Sequence, residues 1–182
     1  MIMSEYEFTL KFAIPVDSDR ESLETCLFEA GCDDALLGTG HKGRVALTFQ
    51  RKASSGAKAV ESALADVQRA LPKARLVEAE PDLVGVSDIA DLFAFSRQNM
   101  RKLLQTHTES FPLPLHEGRS SLWHLADVLD WFEQRQGRPV DPMLREVAGV
   151  NMQTNAAREV RRLDAADRAS SSGDQARSDV PA

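Results

Sequence analysis

Val86-Ser87-Asp88-Ile89-Ala90-Asp91-Leu92-Phe93-Ala94-Phe95-Ser96-Arg97-Gln98-Asn99-Met100-Arg101-Lys102-Leu103-Leu104 reads as a short helix, a tight turn and a second helix. Ile89, Leu92 and Phe93 supply the buried face of the first helix, and Ala94-Phe95 make the turn. Ser87 is the expected N-cap, with Asp88 in the first turn, where negative charge suits the helix dipole. Ser96 caps the second helix, and Met100, Leu103 and Leu104 face inward at helical spacing. Many such turns carry glycine where this chain has Ala94, because alanine enters the left-handed region less readily.

The second helix concentrates positive charge. Arg97, Gln98, Arg101 and Gln105 take its outer side, with Lys102 flanking and Asn99 in the first turn. Arginine can hold guanine bidentately, and glutamine or asparagine can hold adenine. Ser96 and the free N–H groups of the first turn can hold a phosphate. A helix pair this short with a basic second member has the form of a DNA-reading helix-turn-helix. A basic helix face is also what an ordinary solvated surface shows, so the downstream context decides.

That context reads Phe111-Pro112-Leu113-Pro114-Leu115-His116-Glu117-Gly118-Arg119-Ser120-Ser121-Leu122-Trp123-His124-Leu125-Ala126-Asp127-Val128-Leu129-Asp130-Trp131. Phe-Pro-x-Pro, a Gly-Arg turn, a tryptophan and then Asp-Val-x-x-Trp resembles the MerR-like winged helix of the AlpA and excisionase type over about residues 82–137. The resemblance implies a helix-turn-helix, a two-stranded wing and a third helix. It implies a recognition helix beginning at Ser96, with Arg97, Gln98, Asn99, Arg101 and Lys102 in the major groove of double-stranded DNA. His116, Glu117, Gly118, Arg119, Ser120 and Ser121 match the wing. There Gly118 permits the reversal, and Arg119, Ser120 and Ser121 can reach the backbone or the minor groove. Trp123 and Trp131 match core positions.

The first eighty residues carry a different pattern. Tyr6, Phe8, Leu10, Phe12 and Ile14 alternate with Glu5, Glu7, Thr9, Lys11 and Ala13, which marks a strand with one buried face. Pro15 ends it. Asp17, Ser18 and Asp19 offer caps for a helix carrying Leu23, Leu27 and Ala30, closed by Gly31. Ala35-Leu36-Leu37, Arg44 to Gln50 and Ala74 to Ala79 read as three more strands, with a long helix capped by Ser54 or Ser55 between the last two. Strand, helix, strand, strand, helix, strand is the ferredoxin-like arrangement, with both helices on one face of an antiparallel sheet. The expected fold class is therefore α+β: a ferredoxin-like βαββαβ sandwich over residues 1–81, then a winged helix-turn-helix and a helical extension. Gly38, Gly40 and Gly43 fit G-x-G-x-x-G, but a strand follows where a dinucleotide site needs a helix. His41, Lys42 and Arg44 remain a weak anion site. Adjacent Asp33 and Asp34 point to opposite sides of a strand and form no catalytic pair.

Whole-chain properties bound the rest. A net charge of −6 excludes bulk coating of nucleic acid, so any such site is local. Cys26 and Cys32 lack metal-type clustering and suit a reducing compartment. His116 and His124 lack partners at ligand spacing and read, like His107, as surface residues. No metal, no cofactor and no catalysis are expected. No apolar run spans a bilayer, and Glu5 and Glu7 stand where a signal peptide would be basic then apolar. A cytoplasmic protein with no membrane partner follows. Pro139 and Pro142 open a helical extension over 138–167, with Met143, Val147 and Val150 in one stripe and Ala156, Val160 and Leu163 in another. Gly149 and Asn151 are expected to break it, and 168–182 to be a disordered tail. The extension could pair with its copy, fold back on the core or grip a partner protein through residues 139–182. The expected function is a homodimeric, sequence-specific transcriptional regulator. An antitoxin-like partner-binding protein and an architectural DNA-bending factor are the alternatives.

Overall fold

The structure, a computed structural model, describes residues 3–175, with side chains through residue 168. Its first unit is built as the alternation dictates. β1 (Ser4–Ala13) buries Tyr6, Phe8, Leu10 and Phe12. α1 (Arg20–Glu29) starts at Asp19, whose carboxylate accepts from the Ser22 N–H, and buries Leu23 and Leu27. β2 (Ala35–Gly38) and β3 (Arg44–Ala53) form a hairpin, α2 (Gly56–Ala70) starts at the Ser55 cap, and β4 (Arg75–Glu80) completes the sheet. The strand order is β2-β3-β1-β4, with every pairing antiparallel. Inner-face residues of β1 and β3 share one core with Leu23 and Leu27 of α1 and Ala59, Val60, Ala63 and Val67 of α2.

β3 runs three residues beyond the expected Gln50, because Arg51 is buried as part of a polar cluster. Its guanidinium donates to Asp34 Oδ2 at 2.7 Å, to Asp66 Oδ2 at 2.8 Å and to the Gly31 carbonyl at 3.1 Å. Burial opposes its charge, but the two carboxylates outweigh that and raise its pKa. On the open face Thr9 and Thr48 share a hydrogen bond of 3.0 Å, and Lys11 bridges Glu78 and Glu80.

The second unit is helical around a small two-stranded sheet. β5 (Leu83–Val84) leads into α3 (Val86–Leu92) and α4 (Arg97–Thr106). β6 (Trp123–His124) pairs antiparallel with β5 and opens α5 (Leu125–Gln136). α5 ends on Gly137 in the left-handed conformation.

α6 (Pro142–Gln175) runs 34 residues without interruption. The expected break at Gly149 and Asn151 is absent, and the expected tail from residue 168 is helical through Gln175; 176–182 lie outside the described residues. The start of α6 folds back on the body and serves both cores at once. Met143, Val147 and Val150 join the first core, while Leu144 and Ala148 join the second. Glu146 Oε2 accepts from the Tyr6 hydroxyl at 3.0 Å and from the Gly56 N–H at 2.7 Å. Burial first, and then the Glu146 carboxylate, push the Tyr6 pKa up. α6 lies so close to the start of α2 that a Cβ on Gly56 would sit 2.9 Å from Glu146 Cβ. Of the stretch expected to grip a partner, residues 143–155 are thus largely committed inside the molecule. Among the described residues, no helix is long and apolar enough to cross a membrane.

Candidate nucleic-acid interface

α3 is capped at Gly85 and not at the expected Ser87. Asp88 reaches back so that its Oδ2 accepts from the Gly85 N–H at 2.7 Å, which leaves Ser87 inside the first turn. Ile89 and Ala90 are buried. Phe93 packs face to face on Phe132 of α5, with centroids 3.7 Å apart. Ala94 takes φ 55°, so the turn does require a left-handed residue and obtains it from alanine. Arg138 secures this turn from outside. Its guanidinium lies 4.4 Å from the Phe95 ring centroid and donates to the Phe93 carbonyl at 3.3 Å.

α4 begins at Ser96, whose Oγ accepts from the Asn99 N–H at 3.1 Å. Met100 is fully buried and Leu103 and Leu104 are half-buried against the second core. Ser96, Arg97, Gln98, Asn99, Arg101 and Lys102 are all exposed. Among the described residues the Arg97, Arg101 and Lys102 side chains enter no ion pair or hydrogen bond. Other arginines do: Arg20, Arg51, Arg69, Arg145, Arg158 and Arg162 each hold a carboxylate.

The segment after α4 is tied down by aromatic residues. Phe111 meets Trp123 and Trp131 edge to face, and His107, expected at the surface, is half-buried 5.3 Å from the Trp131 ring. Trp123 Nε1 donates to the Pro112 carbonyl at 3.0 Å. The chain then reverses over residues 116–122. The expected two-stranded wing is here a single bridge: the Leu122 N–H donates to the His116 carbonyl at 3.0 Å, and the Leu115 N–H to the Leu122 carbonyl at 2.8 Å. His116, Glu117, Gly118, Arg119 and Ser120 are exposed and Ser121 half-buried. The His116 ring lies over Gly118, where a Cβ would come within 2.9 Å of Nε2.

His124, expected at the surface, is half-buried. Its Nδ1 is 2.7 Å from Oδ1 of Asp82, a carboxylate only 2% exposed. Asp82 Oδ2 accepts from Asn155 Nδ2 at 2.8 Å, and the Asp82 carbonyl accepts from the Leu125 N–H at 2.6 Å. Asp82 therefore joins β5, α5 and α6, and through Asn155 it ties the second unit to the first sheet. Sequence reasoning missed Asp82, Arg138 and Asn155, because their partners lie 42 to 76 residues away.

An open cleft of about 600 Å³ lies elsewhere, between the first sheet and the start of α6, among Glu5, Glu7, Glu80, Asp141, Met143 and Leu144. No histidine or cysteine lines it. Among the described residues no three metal-ligating side chains gather. The loop at Gly38–Arg44 joins two strands, so no helix follows its glycines as a dinucleotide site would need.

No family model, curated protein or solved structure matches the chain.

Proposed function

We propose that this chain is a sequence-specific DNA-binding transcriptional regulator. It reads the major groove with Arg97, Gln98, Asn99, Arg101 and Lys102 of α4, and His116, Arg119, Ser120 and Ser121 contact the backbone or minor groove. Residues 82–137 are read as a MerR-like winged helix-turn-helix of the AlpA and excisionase type, with a shortened wing. Residues 1–81 are read as a ferredoxin-like βαββαβ sandwich, a reading supported by the order β2-β3-β1-β4. The carrying observation is the outer side of α4: exposed cations without carboxylate partners, on a helix seated by a buried Met100 and capped by Ser96. Unpaired guanidinium groups on a rigid helix are free to form bidentate bonds to base edges without first breaking an ion pair. The N–H groups of the first turn add a phosphate site beside them.

The test is selection of bound duplexes from genomic fragments, followed by anisotropy titration of the selected site. Arg101→Ala should weaken binding by about 1–3 kcal/mol if Arg101 reads a base, and more on the selected site than on scrambled DNA. Equal binding of the intact protein to every duplex, or none to any, rejects the proposal.

A further inference from the structure

The two edge strands of the first sheet are treated differently. The outer side of β4 is covered by α6: Asn155 Oδ1 accepts from the Ala79 N–H at 2.8 Å, Asn155 Nδ2 donates to the Ala79 carbonyl at 2.9 Å, and Arg158 bonds the Val77 carbonyl. The outer side of β2 is bare, with no strand among the described residues pairing to it. β2 has no proline, lysine or bulge, the features that ordinarily protect an edge. Two strongly exposed large apolar side chains flank this same edge. Leu36, on the open face, is 76% exposed, and Phe28, on α1, is 69% exposed. A groove of about 250 Å³ runs between them past Leu27, Leu37 and Leu47, with Arg20, Glu24 and Asp33 also lining it.

We propose that β2 pairs antiparallel with β2 of a second copy of this chain, joining two sheets into one across a two-fold axis. The backbone limits the register. The Gln50 N–H donates to the Asp34 carbonyl at 3.1 Å, and hydrogen-bonded pairs alternate along an antiparallel ladder. Leu36 and Gly38 therefore bond inward to β3, while Ala35, Leu37 and, continuing the alternation, Thr39 turn their backbone groups outward. The Ala35 N–H is already spent on the Cys32 carbonyl at 3.2 Å. A two-fold axis through Leu36 would need that N–H. That axis would keep two bonds, whereas an axis through Leu37 forgoes the Ala35 N–H bonds to Thr39 and keeps four: each Leu37 N–H donates to the other Leu37 carbonyl, and each Thr39 N–H donates to the other Ala35 carbonyl.

The side chains agree with this register. Leu36 comes to stand opposite Gly38 of the second copy, where the missing side chain leaves a depression floored by Ala46. Arg20 bonds Thr39 at one end of β2, and Phe28 lies at the other, beside the turn that leads into Ala35. Antiparallel pairing turns Phe28 of each copy toward Arg20 of the other, a guanidinium–aromatic match. The surface is self-complementary, as an isologous dimer requires.

The experiment is sedimentation velocity of the full chain without DNA over a concentration series. A monomer–dimer equilibrium is expected, with the dissociation constant raised about tenfold or more by Leu36→Lys, which places like charges against the facing edge. Circular dichroism should show that the variant keeps its fold, since Leu36 is exposed. In a Cys26→Ser background, Leu36→Cys chains mixed with Gly38→Cys chains should form a disulfide-linked heterodimer under mild oxidation, and Leu36→Cys chains alone should not. A monomer at every concentration, or a dimer indifferent to Leu36→Lys, overturns the proposal; self-linking of Leu36→Cys alone overturns the register. Because DNA is absent, a monomer that still selects its site rejects the edge pairing and spares the DNA-reading proposal, whereas a dimer that binds no duplex does the reverse.

Discussion

Asn155→Ala removes the side chain that holds α6 to both units. Asn155 makes three hydrogen bonds of 2.8–2.9 Å, to the Ala79 N–H, the Ala79 carbonyl and Asp82 Oδ2. Ala79 is fully buried and Asp82 is 2% exposed, so truncation leaves three buried polar groups short of a partner. Each such group costs about 1–3 kcal/mol. Asn155 itself is only half-buried, so water can enter and recover part of that cost. The expected loss is about 3 kcal/mol. With a urea slope of about 2 kcal/mol/M, the midpoint should fall by about 1.5 M. Trp123 and Trp131 both lie in the second core, so their fluorescence follows that unit, and far-ultraviolet circular dichroism follows the whole chain. Both signals should shift together, because α6 belongs to both cores. A midpoint change below about 0.3 M, or a shift in one signal only, refutes the idea that α6 clasps the two units.

Further predictions concern the turn and the buried thiol. Ala94→Gly should stabilise the fold by about 0.5 kcal/mol. The left-handed φ of 55° costs an L-residue about 1–2 kcal/mol, of which glycine's larger unfolded-state entropy takes back about 1; a lower melting temperature for the variant would contradict this. Burial first, then the nearby Asp66 carboxylate, push the Cys32 thiol from 9.0 up to about 11. The unfolded chain releases this proton first, so the associated stability is present below pH 9 and disappears as the pH rises to about 11. Urea midpoints should decline less over that window in Cys32→Ala than in the parent, and equal declines would count against the assignment.

Much of the fold was legible in the sequence because local period and burial agree. The alternation of Glu5 to Ile14 reports a sheet covered on one face, which β1 is. The helical spacing of Met100, Leu103 and Leu104 reports one packed side of α4, and it placed Arg97, Gln98, Arg101 and Gln105 outward with Lys102 flanking, all of which are exposed. The misreadings arise where one element answers to two environments. Met143, Val147 and Val150 face one core, while Leu144 and Ala148 face another. From spacing alone, Met143, Val147 and Val150 form one stripe and Ala156, Val160 and Leu163 another, with Gly149 and Asn151 between them as the break. Asn151 stays in the helix because its Nδ2 donates to the Pro81 carbonyl at 3.2 Å. β5 and β6, two residues each, are too short to show any period. Asp82 is polar and buried, and only its contacts with His124 and Asn155 explain why. The outer side of α4 was readable because exposed cations need no distant partner, whereas the protected β4 edge and the bare β2 edge differ only in what tertiary contact supplies.

The central claim concerns the outer side of α4, and salt dependence of binding tests it most directly. On a selected duplex, the logarithm of affinity should fall linearly with the logarithm of salt concentration, with a slope near −0.9 for each phosphate contacted. Arg101→Ala, as a base-reading change, should lower affinity and relax sequence preference with the slope nearly kept. Arg119→Ala, as a phosphate-contact change, should weaken all duplexes alike and reduce the slope by about one. Affinity, preference and slope that all stay unchanged in Arg97→Ala, Arg101→Ala and Lys102→Ala would contradict the account.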